Sequence, residues 1–526
     1  MNGIDWTIIV LYLLGMIGLS VVLGRGQTSD EDYYVGGRKL PWWAIGISTM
    51  ATQTSAISFI SIPAFVALRD GGGLTWLQYE LAVPLAMIAV MVLLIPLFRG
   101  LELVSVYEYL ELRFGRSVRT LVSAVFLLSR GLATGVGVYA TAIVLSVGLG
   151  TPLWATILII GVVTVVYDTI GGMTAVVYSD VIQMGVLLVG IVVSIVVAAV
   201  EVGGFGVVFG SLPDARMTAV NPSWGLGGGG GEGFPFWAFL VGGFFLYVSY
   251  YGTDQSQVQR ELSAPSIEET KWSLVLNGLC RFPLTALYVV LGMAMYAMLQ
   301  QSEALRAAVP PDNLDYLVPQ FVLLHLPTGV RALLFAALLS AAMSSLDSAL
   351  NSLSAATMRD FIEPRMGESA RTILWSKVTT VSWGVVITGF AFVVGDISPT
   401  VIEGINQIGS AFYGPILAAF LVGILSRRAT SGGILVGILA GVGFNVTLWL
   451  GFPGIYWTWW NLFGCAVASV VALGVSALQP APAPDIVARF TWRGKHVLAG
   501  EGRWALSYGL LVLYFLGMLT LLLALG

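Results

Sequence analysis

Charge is what this sequence has least of. Only 10% of its 526 residues are Asp, Glu, Lys or Arg, against roughly a quarter in soluble chains. With 57% hydrophobic residues and a mean hydropathy of +0.87, the polar residues are too few to cover a globular surface. The 25 basic and 29 acidic residues nearly cancel, to a net −4, which excludes a nucleic-acid binder that works by neutralising phosphates. Cysteine is almost absent: Cys280 and Cys465 both lie in apolar runs, so there is no disulfide framework. Histidine is as scarce, and His325 and His496 lack the spacing of metal ligands. Long apolar runs are what remains, and they make the chain a polytopic membrane protein.

A helix that crosses a bilayer needs roughly 20 apolar residues. Fourteen runs qualify, at 5–24, 41–68, 75–98, 120–147, 153–170, 176–201, 236–256, 274–299, 330–357, 374–395, 400–426, 431–450, 457–477 and 505–525. The first has no basic flank and no cleavage site, so it reads as a retained helix and not a signal peptide. If the N-terminus lies outside, the odd-numbered connections are cytoplasmic and carry 19 of the basic residues, against four (Arg69, Arg216, Arg306, Arg331) on the other side. Arg130 and Arg281 fall within spans. Such a bias sets orientation, and it predicts both termini extracytoplasmic. The glycine run Gly227–Gly231 in the long loop 202–235 reads as a flexible connector, because no Lys-Ser/Thr pair follows it as in a phosphate-binding loop. The segment 478–504 opens on Pro480 and reads as a stiff linker. No soluble catalytic domain fits between the spans.

Polar clusters interrupt several spans. The second carries Ser48, Thr49, Thr52, Gln53, Thr54, Ser55 and Ser58 around its midpoint, where hydroxyls compete for backbone hydrogen bonds and favour an unwound segment. Five spans later Tyr247, Ser249, Tyr250, Gly252, Thr253 and Asp254 suggest a matching break. Paired broken helices in inverted repeats are a mark of secondary transporters. The ninth span places Ser344, Ser345, Ser348 and Ser352 at helical spacing beside Asp347 and Asn351. Helix-packing serines explain the hydroxyls but not the carboxylate, and oxygen-rich clusters suit a hard cation such as sodium, with a proton relay as the alternative. Asp180 opens the sixth span, as an ion ligand or a solvated helix-end charge. Arg130 is either paired with Glu80 or Asp168 or turned toward an anionic solute. Arg281 lies near the basic end, close enough to snorkel.

At these residues the chain resembles the sodium/solute symporter family, whose members share the LeuT-type fold. The motifs are Asp30–Gly37, Gly171–Gln183, Gly252–Arg260 and Met343–Ser352. The resemblance implies an all-α membrane protein of about fourteen helices forming one domain over 1–526. It would comprise a peripheral helix at 5–24, five-helix inverted repeats at 41–201 and 236–426, and peripheral helices at 431–526. It further implies a first sodium held by the carbonyls of Ala51, Thr54 and Ala341 and the hydroxyls of Ser344 and Ser345. A second sodium would lie among Asp180, Ser344, Asp347 and Ser348, although Asp347 stands where sialic acid carriers of the family have a serine. For the solute it implies Gln53, Ser55, Ser58, Gln78, Tyr247 and Tyr250, the last as an inner gate. Asn406 matches a glutamine of sugar carriers, and Arg281 a lysine of a galactose carrier. Arg130 matches an arginine that grips a carboxylate, and Gln257–Arg260 looks like the branch carrying monocarboxylates and vitamins.

The expected function is sodium-coupled import of a small organic solute, preferably carboxylated, by alternating access in a bacterial inner membrane. A neutral hexose or polyol is the second reading. An ion channel would need a continuous polar stripe, and a membrane sensor a signalling domain. No enzymatic activity, organic cofactor, nucleic acid or obligate protein partner is expected; the partners are solute, sodium and the lipid bilayer.

Overall fold

The computed structural model describes residues 1–54, 56–227, 234–311, 313–366, 372–393, 401–491 and 501–525. Among these, regular structure is helical apart from one isolated bridge between Leu226 and Ile455. Eleven helices are long and apolar enough to cross a membrane. Three further crossings need a physical argument. Trp42–Gln53 and Ala56–Ala67 form one span bent by 55°. Leu153–Val202 is 50 residues, about 75 Å of helix at 1.5 Å per residue, far beyond a ~30 Å hydrocarbon core. It turns at Gly172, whose φ of 55° and ψ of −159° are open to glycine alone, and so counts twice. Ala238–Thr253 is short but apolar. Fourteen crossings result, in the positions the hydropathy predicts.

Burial separates centre from periphery. The ninth span, Val330–Thr357, has 89% of its most apolar window buried, whereas the first and last spans have 17% each. Those two present large apolar side chains such as Leu11, Leu14, Leu506 and Leu513 outward, as lipid-facing helices do. The twelfth and thirteenth spans, Ser431–Gly451 and Trp459–Ala477, approach closely through Gly433, Gly437 and Gly441. A Cβ at Gly437 would come within 2.5 Å of the Ala468 carbonyl. Small residues at a four-residue repeat are how membrane helices gain close packing.

The second span breaks where its hydroxyls cluster. Thr54 leaves helical geometry (φ −95°, ψ 72°), and Thr52 bonds back to the Ser48 carbonyl at 3.0 Å. The seventh span differs from the sequence reading. Tyr247 to Thr253 stay helical, and the break falls at Asp254 (φ −80°, ψ 120°). The Asp254 side chain accepts from Ser256 N at 2.8 Å, so it caps a new helix, Gln255–Leu262, in place of unwinding the old one. An aspartate that can satisfy a free helix N-terminus outweighs a run of residues that merely weaken a helix.

Candidate functional site

A cavity lies where the bend of the second span meets the third, fourth, seventh, eighth, ninth and eleventh spans. Its volume is about 160 Å³, well above the roughly 10–15 Å³ that a single water needs, so it takes more than a bare ion. Thr52, Gln53, Thr54 and Ser58 reach it from the two halves of the second span, and Trp76, Tyr79 and Glu80 from the third. Arg130, Thr134 and Thr141 line it from the fourth, Tyr250 from the seventh, Arg281 from the eighth, Ser345 from the ninth, and Asn406 and Tyr413 from the eleventh.

The two arginines are held differently. Arg281 does not snorkel to the basic end. Its Nη2 and Nε meet the two oxygens of Glu80 at 2.6 and 3.2 Å, and its Nη1 donates to the Thr54 hydroxyl at 2.8 Å. Thr285 donates to the same carboxylate at 3.1 Å. Glu80 is therefore spent on Arg281 and is not the partner of Arg130, nor is Asp168. Arg130 pairs instead with Asp254, at a longer 3.6 Å, with its guanidinium 5.8 Å from the centre of the Tyr250 ring. Its Nε has no hydrogen-bond partner. Of the two cations in the wall, Arg130 is the one with donors to spare.

Other expected solute residues divide. Gln53 faces the cavity and accepts from the Tyr251 hydroxyl at 2.5 Å; Asn406 faces it and accepts from the Tyr79 hydroxyl at 3.1 Å. Ser58 and Tyr250 also line it. Gln78 and Tyr247 do not. Gln78 is fully buried and donates to the carbonyls of Thr75 and Phe234, tying the loop before the seventh span to the third. Tyr247 lies behind the wall and donates to the Tyr79 carbonyl at 3.1 Å. Ser55 lies outside the described residues.

The ion residues meet at the bend. The Ser345 hydroxyl lies 3.3 Å from the Ala341 carbonyl and 3.5 Å from that of Thr52, bridging the ninth span to the end of Trp42–Gln53. Helix ends leave carbonyls without intrahelical donors, and Ala51 and Thr54 belong to that end. Ser344 turns the other way and donates to Asp180. Asp180 is fully buried and not a solvated helix-end charge. It accepts from Ser48 at 2.5 Å and pairs with Arg260 at 3.2 Å. Arg260 also donates to Ser348. Asp347 accepts from the Tyr167 hydroxyl at 2.5 Å and from Ser348 at 3.3 Å. The residues expected at a second sodium thus do come together, with a guanidinium already among them.

Comparison with known proteins is decisive on class. The sequence profile of the sodium:solute symporter family matches residues 33–441. The chain belongs to this family. The human sodium-coupled monocarboxylate transporter 1 is 31% identical to this symporter over 83% of its chain and 72% of the relative's. The human sodium/iodide cotransporter is 30% identical over 91% and 75%. A solved sodium-coupled sialic acid symporter in a substrate-bound, outward-open state superposes with a TM-score of 0.80 at 26% identity, over 91% of this chain and 99% of that one. The fold is accordingly the LeuT type, the protein is a sodium-coupled symporter, and its class is transporter and not enzyme.

Sequence reading of this symporter missed its charge pairing. Arg260 counts as one more basic-loop residue until Gln255–Leu262 is seen folded inward, with all eight residues buried. The signal available was Arg260 itself, on a segment that follows a helix-capping aspartate. Among the described residues, arginines paired with buried carboxylates include Arg281 with Glu80, Arg130 with Asp254, Arg260 with Asp180 and Arg119 with Asp360. Among the same described residues, Asp168, Asp347 and Glu261 are fully buried without an ion-pair partner.

Proposed function

We propose that this symporter moves a small organic anion, gripped by Arg130, together with sodium that binds at the bend of the second span. The observation that carries this reading is the unequal engagement of the two arginines: Arg281 is saturated by Glu80 and Thr54, while Arg130, with a long ion pair to Asp254 and the Tyr250 hydroxyl beside it, keeps an unpartnered Nε. A carboxylate offers the two parallel acceptors that a guanidinium fork matches. The solutes named for the three relatives, a monocarboxylate, iodide and sialic acid, are all anions, which supports the sign of the charge.

Sodium would be held by the carbonyls of Ala51, Thr54 and Ala341 and by Ser345, with Ser344 rotating from Asp180 to join it. Bound there, it clamps the second span to the ninth and fixes Gln53 and Ser58 at the cavity. A second cation would lie on the Asp347 and Ser348 side of Arg260, where negative charge is left over. The side bearing 19 basic residues is read as cytoplasmic, in a bacterial inner membrane, with 41–201 and 236–426 as the inverted repeats. The neutral-sugar reading keeps one observation in its favour: Asn406, Gln53, Ser58 and Tyr79 give the cavity hydroxyl and amide groups.

Thermal unfolding of the purified protein with and without sodium, against matched acid and neutral pairs, separates the readings. N-acetylneuraminic acid is set against N-acetylmannosamine, propionate against propionamide, and galactose and iodide stand alone. The anion reading expects sodium-dependent stabilisation by one of the acids and none by its neutral counterpart. Stabilisation by galactose with no response to any acid contradicts it.

A further inference from the structure

Six of the eight residues of Gln255–Leu262 are glutamine, serine, arginine or glutamate, and every one is buried. A helix of that composition is held by polar contacts and not by apolar packing, and these contacts tie two distant places together. At its start, one Asp254 oxygen caps the helix through Ser256 N at 2.8 Å, while the other faces Arg130 in the solute cavity at 3.6 Å. Gln257 donates to the Tyr250 hydroxyl, also at the cavity, at 2.9 Å. Near its end, Arg260 holds Asp180, Ser48 and Ser348 in the ion region, and Gln259 donates to Asn351 at 2.6 Å.

We propose that this helix is the coupling latch on the basic side, and that Asp254 is the positioning residue through which solute binding releases it. The inference rests on the anion reading of Arg130. A solute carboxylate that takes the Arg130 fork deprives Asp254 of its counter-charge. Asp254 is only 4% exposed, and a buried carboxylate left without its partner is strongly unfavourable. The cost is relieved when the N-terminal end of the helix swings toward water. The neutral bonds at that end, between Gln255 and the backbone of Val104 and Val106 and from Gln257 to Tyr250, are of the kind water replaces at little net cost, while Arg260 keeps the far end anchored on Asp180. Asp254 is also where the chain departs from helical geometry, so the hinge and the sensor are one residue. Before the solute arrives, the Arg130–Asp254 pair holds the basic side shut even with sodium bound.

The test separates the charge of Asp254 from its cap. Asparagine caps a helix as well as aspartate, so Asp254→Asn keeps the helix start and removes the counter-charge. Asp254→Glu keeps the charge and weakens the cap. In proteoliposomes of the full chain without solute, wild type and Asp254→Glu should be tight to radioactive sodium. Asp254→Asn should leak about fivefold faster or more, the lower end of typical coupling between sites. Arg130→Gln breaks the same pair from the other partner and should leak alike, and the double variant should leak no more than either single one. Leak in Asp254→Asn and Arg130→Gln by a wild type that moves no carboxylate upholds the latch and removes the anion reading. Carboxylate uptake with Asp254→Asn as tight as wild type, or a leak in both Asp254 variants while Arg130→Gln stays tight, overturns the latch.

Discussion

Asp180 and Asp347 look alike in the sequence, as acids within apolar spans, yet their surroundings give them different parts. Asp180 has a guanidinium on it and two serines donating to it; Asp347 has a phenol and a serine and no cation. Removing one partner of a buried pair costs about 3–5 kcal/mol, because the other charge is left unpaired. Asp180→Asn should therefore lower expression and thermal stability, whereas Asp347→Asn should fold. Sodium-dependent uptake by Asp347→Asn then reports on the second cation: its Hill coefficient should fall toward one, while a coefficient equal to wild type removes Asp347 from ion binding. Ser345→Ala takes a hydroxyl from the joint between the second and ninth spans, and should raise the sodium concentration for half-maximal uptake without changing solute specificity. The residue types at these sites were legible because membranes exclude them elsewhere. Their pairing was not, because whether Glu80 meets Arg130 or Arg281 depends on helix rotation, which apolar periodicity on a fully buried helix does not report.

Among elements, the turn at Gly172 shows what one position can decide. Two spans are joined there without a loop, and a Cβ would sit 2.6 Å from the Tyr33 carbonyl and 2.8 Å from its ring. A non-glycine residue in such a conformation costs about 1–3 kcal/mol before that overlap is counted. Gly172→Ala should lower the melting temperature and yield of the purified protein; a variant with wild-type stability would mean the turn adopts another geometry. Helix number and position were legible because hydropathy alone sets them. The break in the second span was legible too, since its hydroxyl cluster sits at the break. The seventh span misled for a definite reason: the polar run at 247–255 mixes wall residues, such as Tyr250, with the capping residue Asp254, and composition does not say which of them ends the helix. The burial of Gln255–Leu262 was invisible, because a polar octapeptide beside a basic loop has the pattern of a solvated surface helix.

For the whole molecule, charge balance organises the account. Ion pairs quench Arg130, Arg260 and Arg281, while Asp168, Asp347 and Glu261 are buried with no ion pair among the described residues, an excess of negative charge that favours the proposed cations. The cavity wall carries Arg130 and Arg281 against Glu80, with Asp254 only at 3.6 Å from Arg130, which favours the proposed anion. A transporter that binds both at once approaches neutrality, which eases its passage between outward- and inward-facing states. The central claim is that sodium drives an anion held by Arg130, and uptake into proteoliposomes under an imposed inward sodium gradient tests it most directly. Wild type should accumulate labelled N-acetylneuraminic acid or propionate only while the gradient lasts. Arg130→Lys, which keeps the charge but loses the fork, should weaken apparent affinity by about tenfold or more, the worth of a charge-assisted hydrogen bond. Accumulation indifferent to the sodium gradient, or an Arg130→Lys variant with wild-type affinity, would contradict the account.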